Sequence, residues 1–248
     1  MTRRSTTAAA VLAVATLAAA VAGPQTAYAA EDTTKPVIRS ARVVPGNVVL
    51  RDSGPTTITV EVDVTDDTDV EFVFGMLYRG TDLSDADDGV SLDHFARVKG
   101  TDTWRAHAYV DKAYQTGRYT LAVAAVDPSG NFRNTPSLVG TYLKRNTTMP
   151  EFNAGPEPAR KGAPVTVSGR LERLTLADGY TGYAGKTVTV WFRPDGGAWT
   201  QQGTAMTAAD GGWSRTSAAT VDGTWKATFA GTSNYHAETS HEDHVDVQ

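Results

Sequence analysis

The motif glycine, one residue, an aromatic and then an alternating apolar strand occurs at Gly117-Arg118-Tyr119-Thr120-Leu121-Ala122-Val123. A close variant recurs at Gly223-Thr224-Trp225-Lys226-Ala227-Thr228-Phe229. Each copy follows an upstream strand that carries a tryptophan, Trp104 or Trp213. A period of two sends successive side chains to opposite faces of an extended chain, so these segments cannot form one apolar stripe on a helix. They are half-buried strands, and one sheet-on-sheet plan used twice accounts for both.

The rest of the chain agrees. In Thr56 to Val64, Ile58, Val60, Val62 and Val64 share one face, while Thr57, Thr59, Glu61 and Asp63 share the other. Val70 to Tyr78 is apolar on both faces, as a central strand would be. About seven short strands separated by turn residues fit between Val37 and Tyr142, with no helical periodicity, which is the pattern of an immunoglobulin-like or fibronectin type III-like β-sandwich. Asp195-Gly196-Gly197, Asp210-Gly211-Gly212 and Asp222-Gly223 mark turns of a second sandwich. Its inward rows are Val165 and Val167, then Val188, Val190 and Phe192, then Trp225, Ala227 and Phe229. Between the two, Pro150, Pro156 and Pro158 predict a semi-rigid connector. The expected division is an export signal over 1–29, a first domain over 30–145, a linker over 146–160 and a second domain over 161–248.

The export signal rests on Arg3 and Arg4, an uncharged run from Ala8 to Ala22 and a small-x-small cleavage site at Ala27-Tyr28-Ala29. It implies a protein released outside the cell, with no membrane association after cleavage. The chain contains no cysteine, which excludes disulfides and thiolate chemistry. A net charge of −5 argues against nucleic acid and anionic lipid as partners.

The acidic loops carry the most suggestive chemistry. Asp66, Asp67 and Asp69 cluster in one turn, and Asp127 with Asn131 occupies another. Calcium takes six to eight oxygen ligands, which clustered loop carboxylates and amides supply, so these five residues are the expected calcium ligands. The acids around Asp82 to Asp93 do not follow the EF-hand spacing, because aligning Gly89 with the loop glycine puts Ala86 and Phe95 at ligand positions. His241 and His244 are three apart rather than four and face opposite sides of a strand, so they do not suggest a metal pair. Trp191 alternates with inward Val190 and Phe192 and is expected on the outer face. With Tyr180 and Tyr183 nearby it forms the candidate ligand-binding surface, for a wall glycan or an extracellular protein. Neither a nucleophile elbow nor a phosphate-cradling glycine loop is present, and an enzyme is not expected.

Lys161-Gly162, Val165 to Leu171, Tyr183-Ala184-Gly185, Asp222 to Trp225, Phe229 to Ser233 and Asp243 to Val247 together resemble an Ig-like module of small secreted actinobacterial proteins. Gly117 to Val123 leading into Asp127-Pro128-Ser129-Gly130-Asn131 resembles a bacterial Ig-like or fibronectin type III-like domain. The resemblance implies two sandwiches in tandem and no catalytic residue. Some relatives are labelled calcium-binding. The expectation is a secreted, non-catalytic interaction or structural protein, with calcium binding as the alternative and a small hydrolase as a distant third.

Overall fold

A computed structural model describes residues 31–248, and the export signal expected over 1–29 lies outside the described residues. Among the described residues the chain consists of strands and turns, with one 3-10 turn at Leu83–Asp85 and no α-helix. Contacts divide it into two compact units. Of the described residues, the first comprises 31–43, Thr59–Ala108 and Tyr119–Gly140; the second comprises Val44–Ile58, Tyr109–Arg118 and Thr141–Gln248.

The first ten strands are β1 (Val37–Val44), β2 (Asn47–Leu50), β3 (Thr56–Thr65), β4 (Phe72–Arg79), β5 (Asp88–Leu92), β6 (Ala96–Arg97), β7 (Thr103–Val110), β8 (Gly117–Val126), β9 (Phe132–Thr135) and β10 (Gly140–Arg145). One sheet has the order β1-β3-β7-β6; the other has the order β2-β10-β8-β4-β5, with β9 on β8. The alternation in β3 is realised: Ile58, Val60, Val62 and Val64 are all fully buried. Removing such a side chain from water contributes about 1.5–3 kcal/mol. Opposite them, Val73 and Leu77 of β4 and Tyr119, Leu121, Val123 and Ala125 of β8 are buried too. Each sheet thus buries one face, as the immunoglobulin-like sandwich requires. The buried Tyr119 hydroxyl donates to Asp88 Oδ2 at 2.6 Å, which satisfies the polar end of an otherwise apolar side chain.

The remaining strands are β11 (Thr147–Thr148), β12 (Asn153–Gly155), β13 (Pro164–Arg170), β14 (Glu172–Thr175), β15 (Gly179–Gly182), β16 (Thr187–Pro194), β17 (Thr200–Met206), β18 (Gly212–Ala218), β19 (Gly223–Phe229), β20 (Glu238–Thr239) and β21 (Asp243–Val245). They form the sheets β11-β14-β15, β12-β13-β18 and β17-β16-β19-β20, with β21 on β19. Val165, Val167, Val188, Val190, Trp213, Trp225, Ala227 and Phe229 meet in one core. Gly211 sits where two loops cross, at φ +87°, and a Cβ there would lie 2.3 Å from the Leu171 carbonyl oxygen, so this turn requires glycine.

The segment 146–160, read from its prolines as a linker, carries β11 and β12. Met149, Phe152, Ala154 and Ala159 belong to the second core. The Ala159 amide donates to Asp246 O at 2.8 Å, and the Gln248 amide donates to Ala159 O at 2.8 Å. Upstream, the Arg145 amide donates to Asn234 O, and its guanidinium donates to the carbonyls of Lys112 and Tyr114.

Candidate cation site

β3 ends in the turn Asp66-Asp67-Thr68-Asp69, and β8 ends in the turn Asp127 to Asn131. Both turns are built by their first aspartate. Asp66 Oδ1 accepts from the Thr68 amide at 3.1 Å and from the Thr68 hydroxyl at 2.9 Å. Asp127 Oδ1 accepts from the Asn131 amide at 2.8 Å, and its Oδ2 accepts from Asn131 Nδ2 at 2.8 Å. These are Asx-type turns, in which a short polar side chain takes over backbone donors. Because β3 and β8 end at the same pole of the sandwich, the two turns meet.

At that pole Asp66 and Asp127 are joined by Asp32, which precedes β1. One carboxylate oxygen from each of the three lies within 4.8 Å of the others. Ligands of a single calcium ion, with calcium–oxygen distances of 2.3–2.6 Å, sit no more than about 4.6–5.2 Å apart, so the three oxygens fit one coordination sphere. Asp127 is fully buried. Asp66 Oδ2 is buried with no hydrogen-bond partner, and it is the one carboxylate oxygen in that condition among the described residues. Nor, among the described residues, does any lysine, arginine or histidine form an ion pair with Asp32, Asp66 or Asp127. Two unit charges this close repel by roughly 3–4 kcal/mol at an effective dielectric of ~20. A cluster of this kind holds together best around a cation.

Burial by itself pushes the Asp127 carboxyl up. The Asn131 side chain and the backbone N–H groups of Asn131, Ser129 and Gly130 outweigh burial and leave it below the ordinary aspartate range. These hydrogen bonds favour the ionised form, which is the form that a hard cation binds.

The other expected ligands are placed differently. Asp69 accepts from the Val70 amide at 2.8 Å and pairs with Arg97 at 2.6 Å. Those two contacts hold its carboxyl below the ordinary range. Asp67 is exposed and accepts from the Thr34 hydroxyl at 3.0 Å. Asn131 uses its amide nitrogen on Asp127 and on the Asp32 carbonyl at 2.9 Å, which makes it the brace of the site. Asp32 was absent from the sequence-based set, because nothing near it in sequence signals that its contacts reach Thr68 and Asn131, 36 and 99 positions away.

The expected aromatic surface separates. Trp191 lies on the outer face of β16, half-buried, with Nε1 donating to the Thr228 hydroxyl at 2.9 Å. Tyr183 is buried in the second core, edge-on to Phe229 with ring centroids 5.7 Å apart, and so is not exposed for stacking. Tyr180 lies on β15 and accepts from Asn146 Nδ2 at 2.8 Å. Beside β16, the Trp199 ring is covered by Lys226 at 3.9 Å and by Arg193 at 4.7 Å, a cation–π arrangement that makes this face aromatic and basic. His244 faces Asp195 at 3.2 Å, and the His241 ring packs edge-on against Phe152.

No family model matches the chain, and no curated protein matches it. Solved structures with a similar course include dimeric latent PorU from Porphyromonas gingivalis (12% identity, TM-score 0.30, covering 88% of this chain and 20% of that one). The Escherichia coli adhesin FdeC is another (14% identity, TM-score 0.32, covering 86% of this chain and 66% of that one). A third is a mutant alpha-2-macroglobulin of Salmonella (13% identity, TM-score 0.35, covering 89% of this chain and 15% of that one). The chain thus spans less than two thirds of each of these proteins.

Proposed function

We propose that this protein is an exported, non-catalytic interaction module whose first sandwich is held by a calcium ion. The observation that carries the calcium reading is the convergence of Asp32, Asp66 and Asp127, with one of those carboxylates fully buried and an oxygen of another buried and unpartnered. The charge sequence supports a divalent ion over a monovalent one, because three carboxylates need more than one positive charge to offset their repulsion. All donors are oxygens, which favours calcium or magnesium over the softer metals. The partner of the module is a wall glycan or another extracellular protein. Trp191 on the solvent side of β16 and the neighbouring basic pair Arg193 and Lys226 are the surface that supports this part of the reading.

Thermal unfolding of the purified protein in millimolar calcium and in chelator tests the metal reading. A ligand at ~100 times its dissociation constant stabilises the native state by about 2.7 kcal/mol. For a unit of this size that raises a transition by several degrees, at least about 3 °C. Equal melting curves in the two conditions would remove the calcium reading.

A further inference from the structure

We propose that the cation also acts as a latch. With the ion bound, residues 31–35 are strapped to the pole of the first sandwich, and without it they detach. This inference rests on the cation reading above.

The three carboxylates are not held alike. Asp66 and Asp127 are fixed by turns that β3 and β8 deliver, whereas Asp32 comes from a stretch that belongs to no strand. From 31 to 36 only Pro36 is buried, so no apolar side chain anchors residues 31–35. Their attachment consists of three polar contacts: Thr68 Oγ1 to Asp32 Oδ2 at 3.1 Å, a hydroxyl proton shared with Asp66 Oδ1, Thr34 Oγ1 to Asp67 Oδ2 at 3.0 Å and Asn131 Nδ2 to Asp32 O at 2.9 Å. The two contacts made by hydroxyls are exposed and replace equally good bonds to water, while the one from Asn131 is partly buried, so the net attraction they supply is modest.

The electrostatic contribution therefore decides whether the segment docks, and its sign depends on the ion. Without a cation, the Asp32 carboxylate approaches two other carboxylates and is repelled. With a divalent cation on Asp66 and Asp127, it approaches net attraction and completes the ligand set. Linkage makes the effect reciprocal: the factor by which Asp32 tightens calcium binding is the factor by which calcium favours docking of the segment.

The test combines calorimetric calcium titration with amide hydrogen exchange on the purified wild-type protein and on Asp32→Asn. In the wild type, calcium is expected to slow exchange of the Thr34 amide, which donates to Asp32 Oδ1 at 2.9 Å, by about tenfold relative to chelator. Asp32→Asn is expected to bind calcium about tenfold more weakly and to show no calcium-dependent protection of the Thr34 amide at saturation. Calcium binding to the wild type with unchanged exchange at Thr34 overturns the latch and leaves the cation site standing. So does an Asp32→Asn variant that binds as tightly as the wild type. Absence of any calcium binding to the wild type overturns both.

Discussion

Asp66 and Asp69 stand three positions apart in one turn, and the fold gives them opposite roles. Asp66 turns towards Asp127 and keeps one oxygen buried and unpartnered, while Asp69 is engaged by Arg97 and the Val70 amide. Asp66→Asn and Asp127→Asn are therefore expected to weaken calcium binding by at least about tenfold, because each removes a charged ligand. Asp69→Asn, by contrast, should leave the affinity within about twofold. Calorimetric titration of the three variants checks this, and a large loss in Asp69→Asn would place the ion elsewhere in the turn. Asp127→Asn carries a second cost, since its oxygens accept from the Asn131 backbone and side chain. An amide there can accept through one oxygen only, and loss of a buried hydrogen bond costs about 1–3 kcal/mol. That four of the five expected ligands are acids in turns was readable from residue type. Which of them face one another depended on contacts far apart in sequence.

At the scale of the strand, β3 shows what alternation conveys. Its inward row of Ile58, Val60, Val62 and Val64 was legible because burial of every second residue is the only way such a strand pays for its order. Its outer row was not. Glu61 is nearly buried between Arg42 of β1 and Arg105 of β7, and Asp63 accepts from Ser40 at 2.5 Å and Thr103 at 2.6 Å. These partners come from neighbouring strands and were fixed by register. The hydrogen bonds from Arg105 and Arg42 hold the Glu61 carboxyl below the ordinary glutamate range. A depressed folded-state pKa contributes stability that is fully present above the unfolded pKa of about 4.3 and is lost as pH falls through the lower folded value. Melting temperatures between about pH 6 and pH 3 should therefore fall less steeply in Glu61→Gln than in the wild type. Parallel curves for the two proteins would show that the Arg42–Glu61–Arg105 bridge contributes nothing to the acid limb.

For the molecule as a whole, the instructive segment is 146–160. Prolines and a break in alternation read as a connector, yet Met149, Phe152, Ala154 and Ala159 fill the second core. Phe152 packs beside Trp213 with ring centroids 6.1 Å apart and meets His241 edge-on. Phe152→Ala is expected to destabilise the second unit by about 3–5 kcal/mol, measurable by denaturant unfolding, because it leaves a cavity among large rings. A loss below about 1 kcal/mol would restore the reading of this segment as a spacer. The sequence by itself determined the all-β class, the inward rows of both sandwiches and the turn glycines Gly196 and Gly211, at φ +71° and +87°, since each follows from period-two burial or from backbone angles that only glycine reaches easily. Tertiary structure decided which acids converge, that Asp32 joins them, that Tyr183 lies inside and that 146–160 belongs to a core. All of these depend on which strand ends share a pole and which segments cover which face, and that is settled by packing between residues tens of positions apart, where the local sequence carries no signal.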